Sequence, residues 1–313
     1  MKFIFSIILF LVTIVSFSQS SYNHVKHYAN NTSNTPLSDI ADSYILADDV
    51  LFRQGPGSDF DVIRKLSISS RVKLMSEDTT TTIINGIKSN WYRAALPDNT
   101  TGYIWGGLVA QNQFGSSQPG GVKFLLGLEK LVTEPTTNEH GQTYDDVVFY
   151  TQIRAVKDGK EIAKHSVKNS HRTFDISSME SYGYGTVNLG QCGVEHVRDI
   201  IRLHVPCRGG CGCSTGDVFI AWDGTAFHFM AEAWGTADAQ FSEGCGFVFP
   251  NAMGGEDGFI IKSINHIIWD ETEEETERKD LREEFMEYYI WDGKKLQKTA
   301  RKTEPNITEI DDY

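Results

Sequence analysis

The chain has 313 residues, 42 of them acidic and 29 basic, for a formal net charge of −13. That balance excludes a nucleic-acid partner held through phosphates, which needs a basic footprint. It also excludes adhesion to anionic lipid by charge alone. The first segment is MKFIFSIILFLVTIVSFSQ. Lys2 precedes an apolar run from Phe3 to Val15, and Ser16 and Ser18 follow at cleavage-site spacing, so residues 1–18 read as a secretory signal peptide. The run is shorter than the roughly 20 residues that span a bilayer, and polar SQSSYNH follows at once. No later stretch is long and apolar enough to cross a membrane. The expectation is an exported chain, periplasmic or secreted, with no transmembrane segment after cleavage. Removing the signal leaves enough chain for two domains, each with its own core.

Residues 19–41 are rich in Ser, Asn and Thr and read as a flexible leader. Residues 42–111 then alternate short Val/Ile/Phe/Tyr runs with Gly, Asn and Asp, which predicts five strands. The first, VLFR, runs into a Gly-Pro-Gly turn, and the second begins at Asp61-Val62-Ile63. SRVKLMSED, NWYRAAL and TGYIWGGLVA supply the other three. Five short strands in so few residues fit a small closed barrel. Arg53 is placed to pin the turn or to pair with Asp49 or Asp59. Period-2 alternation puts Tyr103 and Trp105 on one face. With Trp91 they form either an aromatic surface for a peptide or sugar or part of the barrel core.

The ordered motifs of this segment resemble the bacterial SH3-like (SH3b) domain. The matching residues are Val50, Phe52, Arg53, Gly55, Pro56, Val62, Ile63 and Leu66, then Trp91, Tyr92, Gly102, Tyr103, Ile104 and Leu108. Leu51 stands where that family often has Asn, and the loop from Asp78 to Gly86 is long. The resemblance implies a non-catalytic module on an exported bacterial protein, one that recognises cell-wall peptide or serves as a targeting appendage. On the physical reading of the strands, Trp91, Tyr103 and Trp105 are the candidate ligand-binding residues.

NQFGSSQPGG, residues 112–121, reads as an interdomain linker. From 122 to 298 the chain is again strand and turn, and only the charged stretch before Phe285 looks helical. Asp270 to Glu284 holds nine acids and three bases, the signature of a solvated face. IAWDGTAF and YIWDGKKL share an aromatic-Asp-Gly core, and RAVKDGKEI is a looser copy. Asp-Gly between two strand-like runs predicts tight hairpins, with Gly supplying the positive φ and Trp222 and Trp291 packing on the sheet. Residues 299–313 read as a loose tail. The fold class expected is all-β: a small SH3-like barrel followed by a larger antiparallel β-rich domain, sandwich or partly propeller-like.

The candidate chemistry is sparse. Cys245 in EGCGFVFP and His266 in NHIIW suggest a cysteine hydrolase of the cell wall. The Ser that follows the nucleophile in the papain-like cell-wall peptidases is missing, however, and so are the helices of that fold. No zincin motif, nucleophile elbow or phosphate loop is present. His204, Cys207, Cys211 and Cys213 crowd together, but structural zinc needs a second knuckle and only Cys192-x3-His196 is on offer. In an oxidising compartment disulfides are the default. Cys207–Cys211 is the first choice, because it would tie the Gly209-Gly210 turn; Cys192 with Cys213 or Cys245 is the second. No catalytic residue, metal or cofactor is assigned. The expectation is a non-catalytic binding or scaffolding protein of the bacterial cell envelope, with peptidoglycan or an envelope protein as partner; the alternative is a hydrolase using Cys245 and His266.

Overall fold

The computed structural model describes residues 24–25, 42–137, 141–169, 187–205, 213–238, 241–268 and 281–309. Apart from a 3-10 turn at Gly106–Leu108, every regular element in them is a β-strand, so the chain is all-β. The signal segment and most of the leader lie outside the described residues. Among those described, no helix is long and apolar enough to cross a membrane.

The first sheet contains β1 (His24–Val25), β2 (Ser43–Tyr44), β3 (Val50–Arg53), β4 (Val62–Leu66), β5 (Arg71–Ile84), β6 (Ile87–Ala95) and β7 (Thr101–Trp105). Its order is β2-β5-β6-β7-β3-β4, with β1 running parallel to β6. All five strands expected between residues 50 and 105 are present in order. The β5–β6 turn is Asn85-Gly86, both at positive φ (53° and 78°), the two-residue geometry that matches strand twist. Arg53 pins its turn: the guanidinium donates to the Phe60 carbonyl at 2.5 Å. Asp49 pairs instead with Lys65.

A four-stranded sheet follows, order β11-β10-β9-β8, made of β8 (Asn112–Gly115), β9 (Lys123–Thr137), β10 (Thr143–Lys157) and β11 (Lys160–Asn169). The stretch expected as a linker is therefore a strand and a turn, since Asn112–Gly115 pairs with Lys123–Leu126. Ladder bonds depend on backbone rather than side-chain polarity, so a polar, Gly-rich segment can still pair. Asp158-Gly159 closes β10–β11 with both residues at positive φ (51° and 73°), as its sequence predicts.

The third sheet has nine strands: β12 (Val187–Asn188), β13 (Asp199–Val205), β14 (Cys213–Trp222), β15 (Phe227–Asp238), β16 (Phe241–Val248), β17 (Ile260–Ile268), β18 (Leu281–Trp291), β19 (Leu296–Lys302) and β20 (Asn306–Glu309). It is an antiparallel meander from β12 to β19, with β20 on the free stretch of β18. Two expectations change here. The part of the charged stretch that is described, Leu281–Glu284, is strand, because its side chains pair across β17: His266 Nε2 lies 2.6 Å from Glu283 Oε2. The expected loose tail is in part strand as well. Arg301 makes a two-pronged ion pair with Glu256 and lies 3.8 Å from the centre of the Tyr288 ring.

The sheets share a core. Along β6 and β7, Tyr92, Ala94 and Ile104 face the barrel interior with Phe52, Val72 and Leu74. The alternate residues, Ile87, Trp91 and Trp105, face outward, against Phe124 and Leu126 of β9 and Trp222 and Phe227 of the third sheet. A smaller contact seals Leu46 and Ile68 against Leu125 and Val156. Two segments that read as independent domains are thus packed through large apolar side chains, each contributing about 1.5–3 kcal/mol on burial.

Candidate functional site

Trp91 and Trp105 are each 4 % exposed. They are cross-strand partners on β6 and β7. Trp91 donates its indole N–H to Thr82 Oγ1 at 2.8 Å, and Trp105 donates to the carbonyls of Thr82 and Ser89. Both are packing residues. Tyr103 lies on the same face, as alternation predicts, and is half-buried against the same cluster. The aromatic groove expected from these three is not open, because the rest of the chain covers that face.

The tryptophans of the two Trp-Asp-Gly hairpins are also buried, Trp222 at 1 % and Trp291 at 6 %. The hairpins are built alike. Trp222 pairs with Phe227, and Trp291 with Leu296. In each, one Asp oxygen accepts backbone N–H groups two and three residues on, and the other accepts a side-chain donor five residues on. That donor is His228 for Asp223 and Gln297 for Asp292. These are Asx turns, which satisfy backbone donors locally. Burial alone would raise the Asp223 carboxyl, but bonds from His228, Ala226 and Thr225 outweigh it and hold it well below the usual range. Bonds from Gln297 and then from the Lys295 and Lys294 amides bring Asp292 down to about 2.

Cys207 and Cys211 lie outside the described residues. Cys192 and Cys245 are free thiols, so neither forms the second expected bond. The Cys192 thiol donates to the Leu189 carbonyl, and burial pushes its pKa up. Cys245 packs with Phe247 and Tyr289 against the core of the third sheet. His266 is held by Glu283 and lies edge-on to Phe285. His204 Nδ1 is 2.7 Å from Asp217 Oδ1. Among the described residues no three His, Cys, Asp or Glu side chains converge as metal ligands.

Sequence reasoning missed an open groove of about 980 Å³ across β13 to β18. Its wall is low because glycines occupy the crossing points. Gly216, Gly235, Gly244 and Gly246 all line it, and Gly235 and Gly244 are cross-strand partners. A Cβ at Gly244 would sit 2.3 Å from the Trp234 carbonyl oxygen, so the strands come too close there for any other residue. Trp234 (46 % exposed) and Met286 (43 % exposed) project from the lining as the large apolar groups. Around them stand Asp217, Glu243, Glu284 and Glu304, with Asn265 and Asn306. The only sequence signal was the glycine spacing in WGTADAQFSEGCGF, which acquires meaning once β15 and β16 are paired.

Comparison with protein-family models, with curated proteins and with solved structures finds no match to this chain.

Proposed function

We propose that this is an exported protein of the bacterial cell envelope that binds or scaffolds rather than catalyses, an SH3-like module joined to a larger β-rich body. The observation that carries the reading is the open groove with Trp234 projecting from it, on a sheet braced by a core shared with the N-terminal barrel. An exposed large aromatic beside convergent polar groups is the usual composition of a recognition surface. Binding is favoured over hydrolysis because Cys245 is partly buried against the core of the third sheet and, among the described residues, no hydrogen bond joins its thiol to His266, which pairs with Glu283. Export rests on the N-terminal apolar run, and the SH3-like assignment on the ordered motifs between Val50 and Leu108.

In this reading the groove, not the Trp91–Trp105 face, meets the envelope partner, and a Cys207–Cys211 bond staples the connection between β13 and β14. The test is co-sedimentation of the full chain with purified cell wall. Binding that survives Cys245→Ala and releases no soluble peptide is the expected outcome. Peptide release that Cys245→Ala abolishes would replace binding with hydrolysis. The intact mass of unreduced protein, short by one pair of hydrogens, checks the staple.

A further inference from the structure

We infer that the groove on the nine-stranded sheet takes an extended cationic peptide, one bearing lysine, arginine or other amino-group side chains. The inference deepens the binding reading and rests on it.

Charge is the first argument. Several carboxylates elsewhere in the molecule are matched by cations: Glu129 with Lys164, Glu134 with Lys168, Glu256 with Arg301 and Glu287 with Lys298. Asp217 is taken by His204 and approached by Arg202 at 3.9 Å. Among the described residues Glu243, Glu284 and Glu304 have no ion-pair partner, and no lysine or arginine lines the groove. Three unmatched carboxylates around one concavity focus a negative potential where a ligand would lie.

The second argument is the aromatic. This protein sets cations over aromatic rings several times, with Lys123 3.4 Å from the Tyr44 centroid and Arg301 3.8 Å from that of Tyr288. Among the described residues no cation stacks on Trp234, whose indole is the best such platform and which lines the same groove as the carboxylates. Met286 adds an adaptable apolar contact suited to an aliphatic stem. Shape is the third. The groove lies at the upper end of the about 300–1,000 Å³ of ligand sites. It is open rather than closed, and it crosses several strands. That suits a chain laid along it better than a small molecule enclosed by it.

The glycines supply a clean probe. A Cβ at Gly246 meets nothing within 4 Å, so Gly246→Leu narrows the groove without striking the backbone. The experiment is fluorescence anisotropy of the full chain with labelled eight-residue peptides of alternating Lys-Ala, Gln-Ala or Glu-Ala, and with a labelled neutral N-acetylglucosamine hexamer. The Lys-Ala peptide is expected to bind at least about tenfold more tightly than Gln-Ala, with no detectable Glu-Ala binding. Its affinity should weaken as salt shortens the Debye length from about 30 Å to about 8 Å. Trp234→Ala and Gly246→Leu should each weaken it at least about tenfold. Asp257→Asn, a charge removed outside the groove, should leave it unchanged. Lys-Ala binding that ignores both groove variants would reduce the effect to diffuse surface charge and overturn the inference. Tighter binding of the neutral hexamer would overturn it in favour of a glycan. Cell-wall sedimentation that persists while no peptide binds would sink this ligand class and leave the binding function standing.

Discussion

The carboxylate of Asp199, wholly buried at the start of β13, accepts the Ser116 hydroxyl at 2.5 Å across 83 residues of chain. The Ser117 amide and the Asn188 side-chain amide complete its shell at 2.7 and 2.8 Å. A buried carboxylate is tolerated here because three donors satisfy it. The contact fastens the turn after β8 to the third sheet, so the segment between the two halves of the molecule is held at both ends. Asp199→Ala removes the shared acceptor of all three and is expected to cost about 1–3 kcal/mol in urea unfolding, while Ser116→Ala costs about 1 kcal/mol. A change below about 0.5 kcal/mol for Asp199→Ala would mean the clamp holds nothing.

Trp105 and Trp234 should separate stability from recognition. Truncating the buried Trp105 to Ala is expected to cost about 3–5 kcal/mol. It should do so in one transition for the whole molecule, because its core cluster spans all three sheets. Trp234→Ala, at an exposed position, should stay within about 0.5 kcal/mol of the parent. Two separated transitions in the parent protein would contradict the shared core.

Acid should weaken the molecule in two windows. Burial, and secondarily the neighbouring His228, lowers the pKa of His165 below its ordinary 6.5. The unfolded chain then takes up that proton first. The contribution is complete above about pH 6.5 and is lost as pH falls from there through the folded value. His165→Phe should flatten the stability profile just below about pH 6.5. Asp223 acts lower. Its depressed carboxyl contributes above the unfolded value of about 3.9 and loses that contribution as pH falls further. Urea midpoints at several pH values separate the two, and an unchanged slope in His165→Phe would rule out the upper window.

Gly86 is the position where the long β5–β6 hairpin touches the second sheet. It sits at φ 78°, and a Cβ there would lie 2.2 Å from the Leu131 carbonyl oxygen. Its neighbour Asn85 accepts the Leu131 amide through its own carbonyl at 3.0 Å. Gly86→Ala is expected to cost about 1–3 kcal/mol, combining backbone strain with the forced separation. Amide exchange at Leu131 should then rise out of proportion to the rest of β9. Gly121→Ala tests strain alone, since that glycine is also at positive φ but has nothing within 4 Å.

What the sequence could reveal followed period and turn chemistry. Asn85-Gly86, Asp158-Gly159 and the two Trp-Asp-Gly turns carry their geometry in two or three residues, and alternation correctly put Tyr103 and Trp105 on one face. It could not reveal what covers that face. Phe124 and Phe227 reach Trp105 only through the docking of separate sheets, which leaves no local pattern. Asn112–Gly115 failed for a related reason: its polar side chains describe solvent exposure, whereas its pairing with β9 is written in backbone groups common to every residue. The groove was the least legible feature. Its glycines are spread over thirty-odd residues and become neighbours only when β14, β15 and β16 align.

The covered face also sets an order of events for the nascent chain. The barrel is complete at Val109, yet Trp222 and Phe227 are made roughly 120 residues later. At about 5–20 residues per second that leaves roughly 6–24 s in which Trp91 and Trp105 have only part of their cover. A ribosome stalled before Phe227, or a protease cutting in that span, would release the N-terminal sheet with a bare aromatic side. The indoles that look like a binding surface in the sequence would then act as one, toward other copies of the same unfinished product.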